Sequence, residues 1–265
     1  MDEITALLPA ATEAVVAVGA HLVERHRPEP AAAANLAGAM AVFNELDTPA
    51  SDLLRERLTG LRPQAGWLAD ELATSIPVNG EWWSCDATDG AIQYLCGLSQ
   101  WAVTATLIRD GEPVLAVVHS PVQGFTYTAA LGGGTRLNGR TVRPQVRELS
   151  AAVATTSQPP TVAEDPVALR RAGESLSALL PRVLAVRNLG PTSLQISQVA
   201  SGHLSLFWQY GADPVNLLPG ALIAREAGAR VTTTGGTPWT PAADGFLAAA
   251  PSLHSDAVAV LGQVS

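Results

Sequence analysis

Between Trp82 and Leu98 the chain reads WWSCDATDGAIQYLCGL, and Asp86, Thr88 and Asp89 fall within four consecutive positions of it. Two carboxylates this close repel each other unless something positive lies between them. Hard divalent cations are the usual answer, because Mg²⁺ prefers oxygen ligands and commonly takes one or two carboxylates plus waters and a phosphate. Gly90 follows at once and lets the chain turn sharply. The apolar, helix-capable run after it then aims free N–H groups into the same space, and a helix N-terminus is a ready anion site. Metal on one side and amide hydrogens on the other is how a protein holds a phosphate ester. The plainer alternative is that Asp86 caps a helix and Asp89 makes a turn. A bare D-x-x-D-G pattern does not separate the two.

The elements that must position these residues are legible as patterns. Ile4, Leu7, Leu8, Ala11, Val15, Val18 and Leu22 recur at helical spacing and predict an amphipathic helix from Glu3 to Arg25, ended by Pro28 and Pro30. Residues 31–41 are Ala-rich and read as a loop or a short helix. Thr48-Pro49 reads as a helix start, with Thr48 as N-cap and a helix to about Leu61. Asp70 and Glu71 form a second acidic pair before a helix-like run. They matter if they meet Asp86 and Asp89 in space, and otherwise they are a solvated first turn. From Ala102 the pattern turns β-like: strands Ala102–Arg109, Pro113–His119 and Phe125–Ala130, with turns at Asp110-Gly111 and Asn138-Gly139. Residues 144–165 read as a boundary. Strand Ala152–Thr156 falls within them, and after it come helix Asp165–Leu180, strand Val183–Arg187, helix Pro191–Ala200 and strand His203–Trp208. Helix Asn216–Ala227, strands Arg230–Thr233 and Phe246–Ala250, and helix Ser252–Leu261 complete the chain. The expected class is mixed α/β, with an N-terminal subdomain over 1–145 carrying the acidic motif and a C-terminal α/β subdomain over 146–265.

Composition narrows the function. The 265 residues are 47% hydrophobic and 15% charged, which marks a globular chain with a substantial core. A net charge of −8 argues against a nucleic-acid backbone as partner but leaves room for a small phosphorylated ligand, since a bound cation can dominate a pocket's field. The two cysteines, Cys85 and Cys96, form no C-x-x-C motif and read as reduced, buried thiols of a cytoplasmic protein. No basic start indicates a signal peptide, and no apolar run approaches membrane-spanning length.

Several separated stretches together resemble the inositol monophosphatase family, nearly colinearly. Ala69-Asp70-Glu71 resembles the family's Gly-Glu-Glu element. Asp86-Ala87-Thr88-Asp89-Gly90-Ala91 resembles its Asp-Pro-Ile-Asp-Gly-Thr element. HSPVQGFTYTAALGGGTRLNGRTV, Arg187-Asn188-Leu189-Gly190, VASGHLSLFWQ and Val215-Asn216 with Glu226-Ala227-Gly228-Ala229 follow in order. The resemblance implies a layered α-β-α-β-α sandwich, Mg²⁺-dependent phosphomonoester hydrolysis and a homodimer. It would give the metals to Asp70, Asp86, the Thr88 carbonyl, Asp89 and Asn216. The N–H groups of Gly90 and Ala91 would face the phosphate, and Asp70, Glu71 and Asp89 are the candidate catalytic acids. Gln209 and Asp213 fall where the family recognises substrate, and their types argue against inositol phosphate itself.

The departures weaken that site. Asp70 is one methylene shorter than the usual glutamate. Ala91 lacks the threonine hydroxyl that positions the attacking water. Asn216 lacks the charge of the usual aspartate, and Ala87 replaces a proline. The reading is a phosphatase of a small phosphorylated metabolite with a weakened metal site. A repurposed lyase- or cyclase-type enzyme and a non-catalytic binding protein are the alternatives. His119 lacks the partners of a Ser-His-Asp triad, His203 reads as structural, and Gly132-Gly133-Gly134 as a hairpin rim. Arg187 is open between a domain or subunit contact and a substrate contact.

Overall fold

The computed structural model describes residues 3–31, 33, 35–68 and 72–264. Helix α1 (Glu3–Val23) buries Ile4, Ala11, Val15, Val18 and Leu22 along one face. Helix α2 (Leu36–Leu61) adds a stripe of Leu46, Ala50, Leu54 and Leu58. Both pack on a sheet built from β1 (Gly66–Leu68), β2 (Glu81–Asp89), β3 (Ala102–Arg109), β4 (Glu112–Ser120), β5 (Phe125–Ala130), β6 (Gly134–Leu137) and β7 (Arg140–Thr141), in that spatial order. It is an antiparallel meander except at its edge, where β1 runs parallel to β2.

The central strands are covered on both faces, and the alternation of side chains shows how. Val103, Ala105, Leu107, Leu115 and Val117 join α1 and α2 in one core. Ala102, Ala116 and Val118 belong to another, with Leu194, Leu222 and Ile223. Those last three lie on α5 (Thr192–Ala200) and α6 (Pro214–Glu226), a middle layer that also packs against a second sheet. That sheet holds β8 (Val153–Thr156), β9 (Ala185–Arg187), β10 (Leu206–Tyr210), β11 (Arg230–Thr232) and β12 (Gly245–Ala249), in the order β11-β12-β10-β8-β9. Helices α4 (Pro166–Leu179) and α7 (Pro251–Leu261) close its outer face. The layers are therefore α-β-α-β-α, as expected. The short α3 (Ala91–Leu95) follows β2 directly.

Several expectations need correction. Thr48-Pro49 is not a helix start, because Pro49 lies inside α2, whose N-cap Asn35 accepts a hydrogen bond from Gly38 N. The apolar stripe runs through Pro49 without a break, so tertiary burial outweighs the lost N–H of one proline. Residues 72–80 hold no helix, and 66–68 form a strand. Strand β10 begins at Leu206, so His203 sits in the turn before it. Cys96 is exposed and only Cys85 is partly buried, both as free thiols. Helix α1 is long and apolar enough to cross a membrane by length and composition, contrary to the expectation from sequence, but its apolar face is spent on the first core.

Candidate active site

The site is built at the end of β2. In a regular strand residues three apart point to opposite faces, since side chains alternate with a period of two. Asp86 and Asp89 escape this because the strand bulges between them. Asp86 lies opposite Thr104 and Asp89 opposite Ala102, so the β2 stretch is one residue longer than its β3 partner. Thr104 and Ala102 share a face, and their partners therefore share one too. The bulge places both carboxylates on one side of the sheet, the side toward α5 and α6 where Ala102 packs.

Local bonds hold the arrangement. Asp86 Oδ1 accepts from Thr88 N at 2.7 Å, closing a short turn inside the bulge. Asp89 is 6% exposed, and its Oδ2 accepts a hydrogen bond from the Ser193 hydroxyl on α5. Thr88 Oγ1 is buried without a hydrogen-bond partner among the described residues. Gly90 then turns the chain with φ +95°, a left-handed conformation that a Cβ would strain, and such a Cβ would also lie 3.1 Å from the Gln100 carbonyl oxygen. Ala91 opens α3. Gln93, in the same turn, lies where a Cβ on Gly190 would sit, so Gly190 lets the α5 entrance approach α3 closely.

Helix α5 ties this strand to the second sheet. Every residue from Thr192 to Ala200 is buried. Gln195 accepts from Leu189 N at 3.0 Å and from the Thr155 hydroxyl, and its Nε2 donates to the Thr156 carbonyl at 3.4 Å. Thr156 in turn donates to the carbonyl of Trp208 on β10 at 2.8 Å. Next along β10 is Gln209, fully buried. Its Nε2 donates to Asp213 Oδ2 at 2.8 Å, and Asn216 Nδ2 donates to Asp213 Oδ1 at 2.7 Å. Burial pushes the Asp213 carboxyl up to about 6, and the hydrogen bonds from Asn216 and Gln209 offset only part of that. Gln209 Oε1 is buried with no partner among the described residues.

The donors this chain offers a metal are all oxygens: the carboxylates of Asp86 and Asp89, Thr88 beside them, and the amide of Asn216. That chemistry fits a hard cation such as Mg²⁺ and not a thiolate- or imidazole-seeking one. Asp70 and Glu71 lie outside the described residues. Among the described residues no group of three or more His, Cys, Asp or Glu side chains could hold an ion, so carboxylates alone do not complete the set there.

Other residues singled out in the sequence make the following contacts. His119 Nδ1 shares a hydrogen bond with Thr126 Oγ1 at 2.9 Å and is nearly buried. His203 is exposed, pairs with Ser201 and packs on Phe125. The glycine turn at 132–134 is a hairpin rim, fastened by Gly132 N and Gly134 N donating to the Glu226 carboxylate at 2.9 Å each. Arg187 is exposed and donates to the neighbouring Val186 carbonyl. Ser193 and Gln195 are the residues the sequence reading missed. The signal for them was the interleaving of polar Thr192, Ser193, Gln195, Ser197 and Gln198 with Leu194 and Ile196 in one short helix.

The comparisons with known proteins agree with this fold. The model of the inositol monophosphatase family matches residues 3–264. The inositol-1-monophosphatase of Rhizobium meliloti is 32% identical, over 84% of this chain and 84% of its own. Inositol-1-monophosphatase SuhB of Mycobacterium tuberculosis is also 32% identical, over 82% of this chain and 76% of its own. Among solved structures, the inositol monophosphatase of Anabaena superposes with a TM-score of 0.84 at 25% identity, covering 100% of this chain and 98% of that one. Mycobacterium tuberculosis SuhB does so with a TM-score of 0.79 at 27% identity, covering 100% and 99%. With the layered sandwich, the bulged acidic strand and a family match along nearly its whole length, this chain belongs to the inositol monophosphatase family.

Proposed function

We propose that this chain is a divalent-cation-dependent phosphomonoesterase acting on a small phosphorylated metabolite. The observation that carries the reading is the β2 bulge, which sets Asp86 and Asp89 on one face immediately before the Gly90 turn. Bound Mg²⁺ would polarise the ester and acidify its own water. This chain's part is to hold that charge with Asp86, Asp89 and the Asn216 oxygen, Asp70 and Glu71 completing the acid set. The N–H groups of Gly90 and Ala91 face the phosphate oxygens. Ser193 fixes the Asp89 carboxylate from behind. Ala91 offers a methyl where the resemblance leads one to expect a hydroxyl, so the attacking water is less well placed. A loss of tenfold or more, about 1.4 kcal/mol per decade, follows in turnover.

Support for Mg²⁺ is the all-oxygen donor set. A homodimer rests on the family resemblance, a cytoplasmic setting on the two free thiols, and the division into subdomains near residue 145 on the change of sheet between β7 and β8. The lyase- or cyclase-type and binding-protein alternatives have no support among the relatives compared, which are named as phosphatases.

The test is a panel of sugar, nucleotide and inositol monophosphates at millimolar Mg²⁺. Slow, chelator-sensitive phosphate release from at least one ester is expected. Absence of release from all of them, together with strong release from an Ala91→Thr/Asn216→Asp variant, would mean that the natural chain is not a phosphatase.

A further inference from the structure

The carboxylate at Asp213 stands at the head of the helix that carries Asn216, and it holds that residue's side chain directly. It is 6% exposed and sits at the N-terminus of α6. Both of its oxygens accept from side-chain amides, Oδ2 from Gln209 Nε2 at 2.8 Å and Oδ1 from Asn216 Nδ2 at 2.7 Å. An ionised carboxylate only accepts hydrogen bonds. It therefore selects one orientation of each amide, NH₂ inward and carbonyl oxygen away from it. The Gln209 carbonyl oxygen is then buried with no partner among the described residues. Leaving a buried acceptor unsatisfied is costly, so the orientation that leaves this oxygen free is one the Asp213 carboxylate has to enforce.

Position 216 shows the same logic. An amide oxygen can ligate a hard cation but brings no charge. Here the charge stands one hydrogen bond behind that oxygen, on the residue three positions earlier in the chain. A carboxylate accepting from an amide N–H polarises the amide and makes its oxygen a better donor to a cation, and partners of this kind orient and tune ligands.

We propose that Asp213 is a positioning residue, holding Asn216 and Gln209 with their carbonyl oxygens turned away from it and supplying behind Asn216 the negative charge that this position lacks. Asp213 is then neither a metal ligand nor a contact to substrate. The proposal rests on the reading of Asn216 as a cation ligand.

The test is Mn²⁺ titration, followed by the ion's electron paramagnetic resonance signal, on four proteins: the natural chain, Asp213→Asn, Asn216→Asp and the exchange variant Asp213→Asn/Asn216→Asp. Loss of a partner of this kind typically weakens metal binding about 10–100-fold. Asp213→Asn is expected to lose affinity by that factor, measured below its own unfolding midpoint. The exchange variant, which keeps the hydrogen-bonded pair but moves the charge to position 216, is expected to recover it. In the metal-free natural chain the side-chain amide resonances of Gln209 and Asn216 should be shifted and slow to exchange, and Asp213→Asn should abolish both effects.

Natural chain and Asp213→Asn binding Mn²⁺ equally would overturn the proposal and leave the phosphatase reading intact. An exchange variant no better than Asp213→Asn would do the same. A natural chain that binds no Mn²⁺ at all would overturn both. If Asp213→Asn fails to fold, the exchange variant and the amide spectra of the natural chain decide alone.

Discussion

An aspartate at position 216 should make the stability of this protein depend more strongly on a cation. Asn216 Nδ2 now donates to Asp213 Oδ1 at 2.7 Å, and Asp213 is almost fully buried. Asn216→Asp removes the donor and brings two carboxylates into contact. A hydrogen bond to a charged group contributes about 1.5–3 kcal/mol. Two unit charges about 4 Å apart repel by about 4 kcal/mol at an effective dielectric constant near 20. The pair relieves part of this by holding a shared proton, which Asp213 is already disposed to do with its carboxyl raised to about 6. The net expectation for the metal-free variant near pH 8 is a loss of about 3 kcal/mol of unfolding free energy, shrinking as the pH falls toward about 5 and the proton returns. Saturating Mg²⁺ replaces the proton and should return about 2.7 kcal/mol at a hundredfold excess over the dissociation constant. The assay is urea unfolding of the natural chain and the variant, with chelator and with millimolar Mg²⁺. Equal midpoints with chelator near pH 8, or equal Mg²⁺ stabilisation of both proteins, would refute the reasoning.

Three further outcomes are expected. Ser193→Ala withdraws a donor from the buried Asp89 carboxylate and should cost the metal-free protein about 1–3 kcal/mol in urea unfolding; a cost below about 0.5 kcal/mol would mean that Ser193 does not hold Asp89 in solution. Gly90→Ala forces a side chain into φ +95° and against the Gln100 carbonyl, and should lower stability by about 1–2 kcal/mol or more, read as a drop in thermal midpoint; an unchanged midpoint would place the turn elsewhere. Burial holds the pKa of His119 below its usual 6.5, so as pH falls below 6.5 the unfolded chain takes up a proton that the folded chain refuses. Stability is thus full above 6.5 and declines toward the lowered folded pKa, and His119→Gln should flatten that decline in urea unfolding followed over this range.

Most of the architecture was readable because the chain's patterns are consistent. β5 was read with its observed bounds, Phe125–Ala130, since Gly124 and the glycines after Ala130 mark both ends. Helix α4 was read to within a residue because Asp165 caps it and Pro166 opens it. The start of α2 was missed because Pro49 is a stronger local signal than Asn35, and only the core beneath the helix shows that Pro49 is tolerated. For the site, spacing made Asp86, Asp89 and Gly90 visible. Spacing also argues against the arrangement, since residues three apart belong on opposite faces of a strand. The bulge that resolves this arises from pairing with β3 and leaves no mark in β2 itself. Ser193 meets Asp89 from far along the chain, and that bond exists only once α5 has packed on β2. Gln209, Asp213 and Asn216 were visible as candidates, but the bonds that join them, four and three residues apart, depend on the backbone geometry at the β10–α6 junction.

The central claim is that Asp86, Asp89 and Asn216 converge on one cation facing the Gly90 turn. A crystal of the natural chain grown with Mn²⁺, and measured at a wavelength where that ion scatters anomalously, tests it most directly. The account predicts an anomalous peak bonded to Asp86, Asp89 and the Asn216 oxygen at about 2.0–2.3 Å, with Asp213 behind it and unbonded. A fully soaked crystal with no peak at the end of β2, or a peak bonded to Asp213 in place of Asn216, would contradict it.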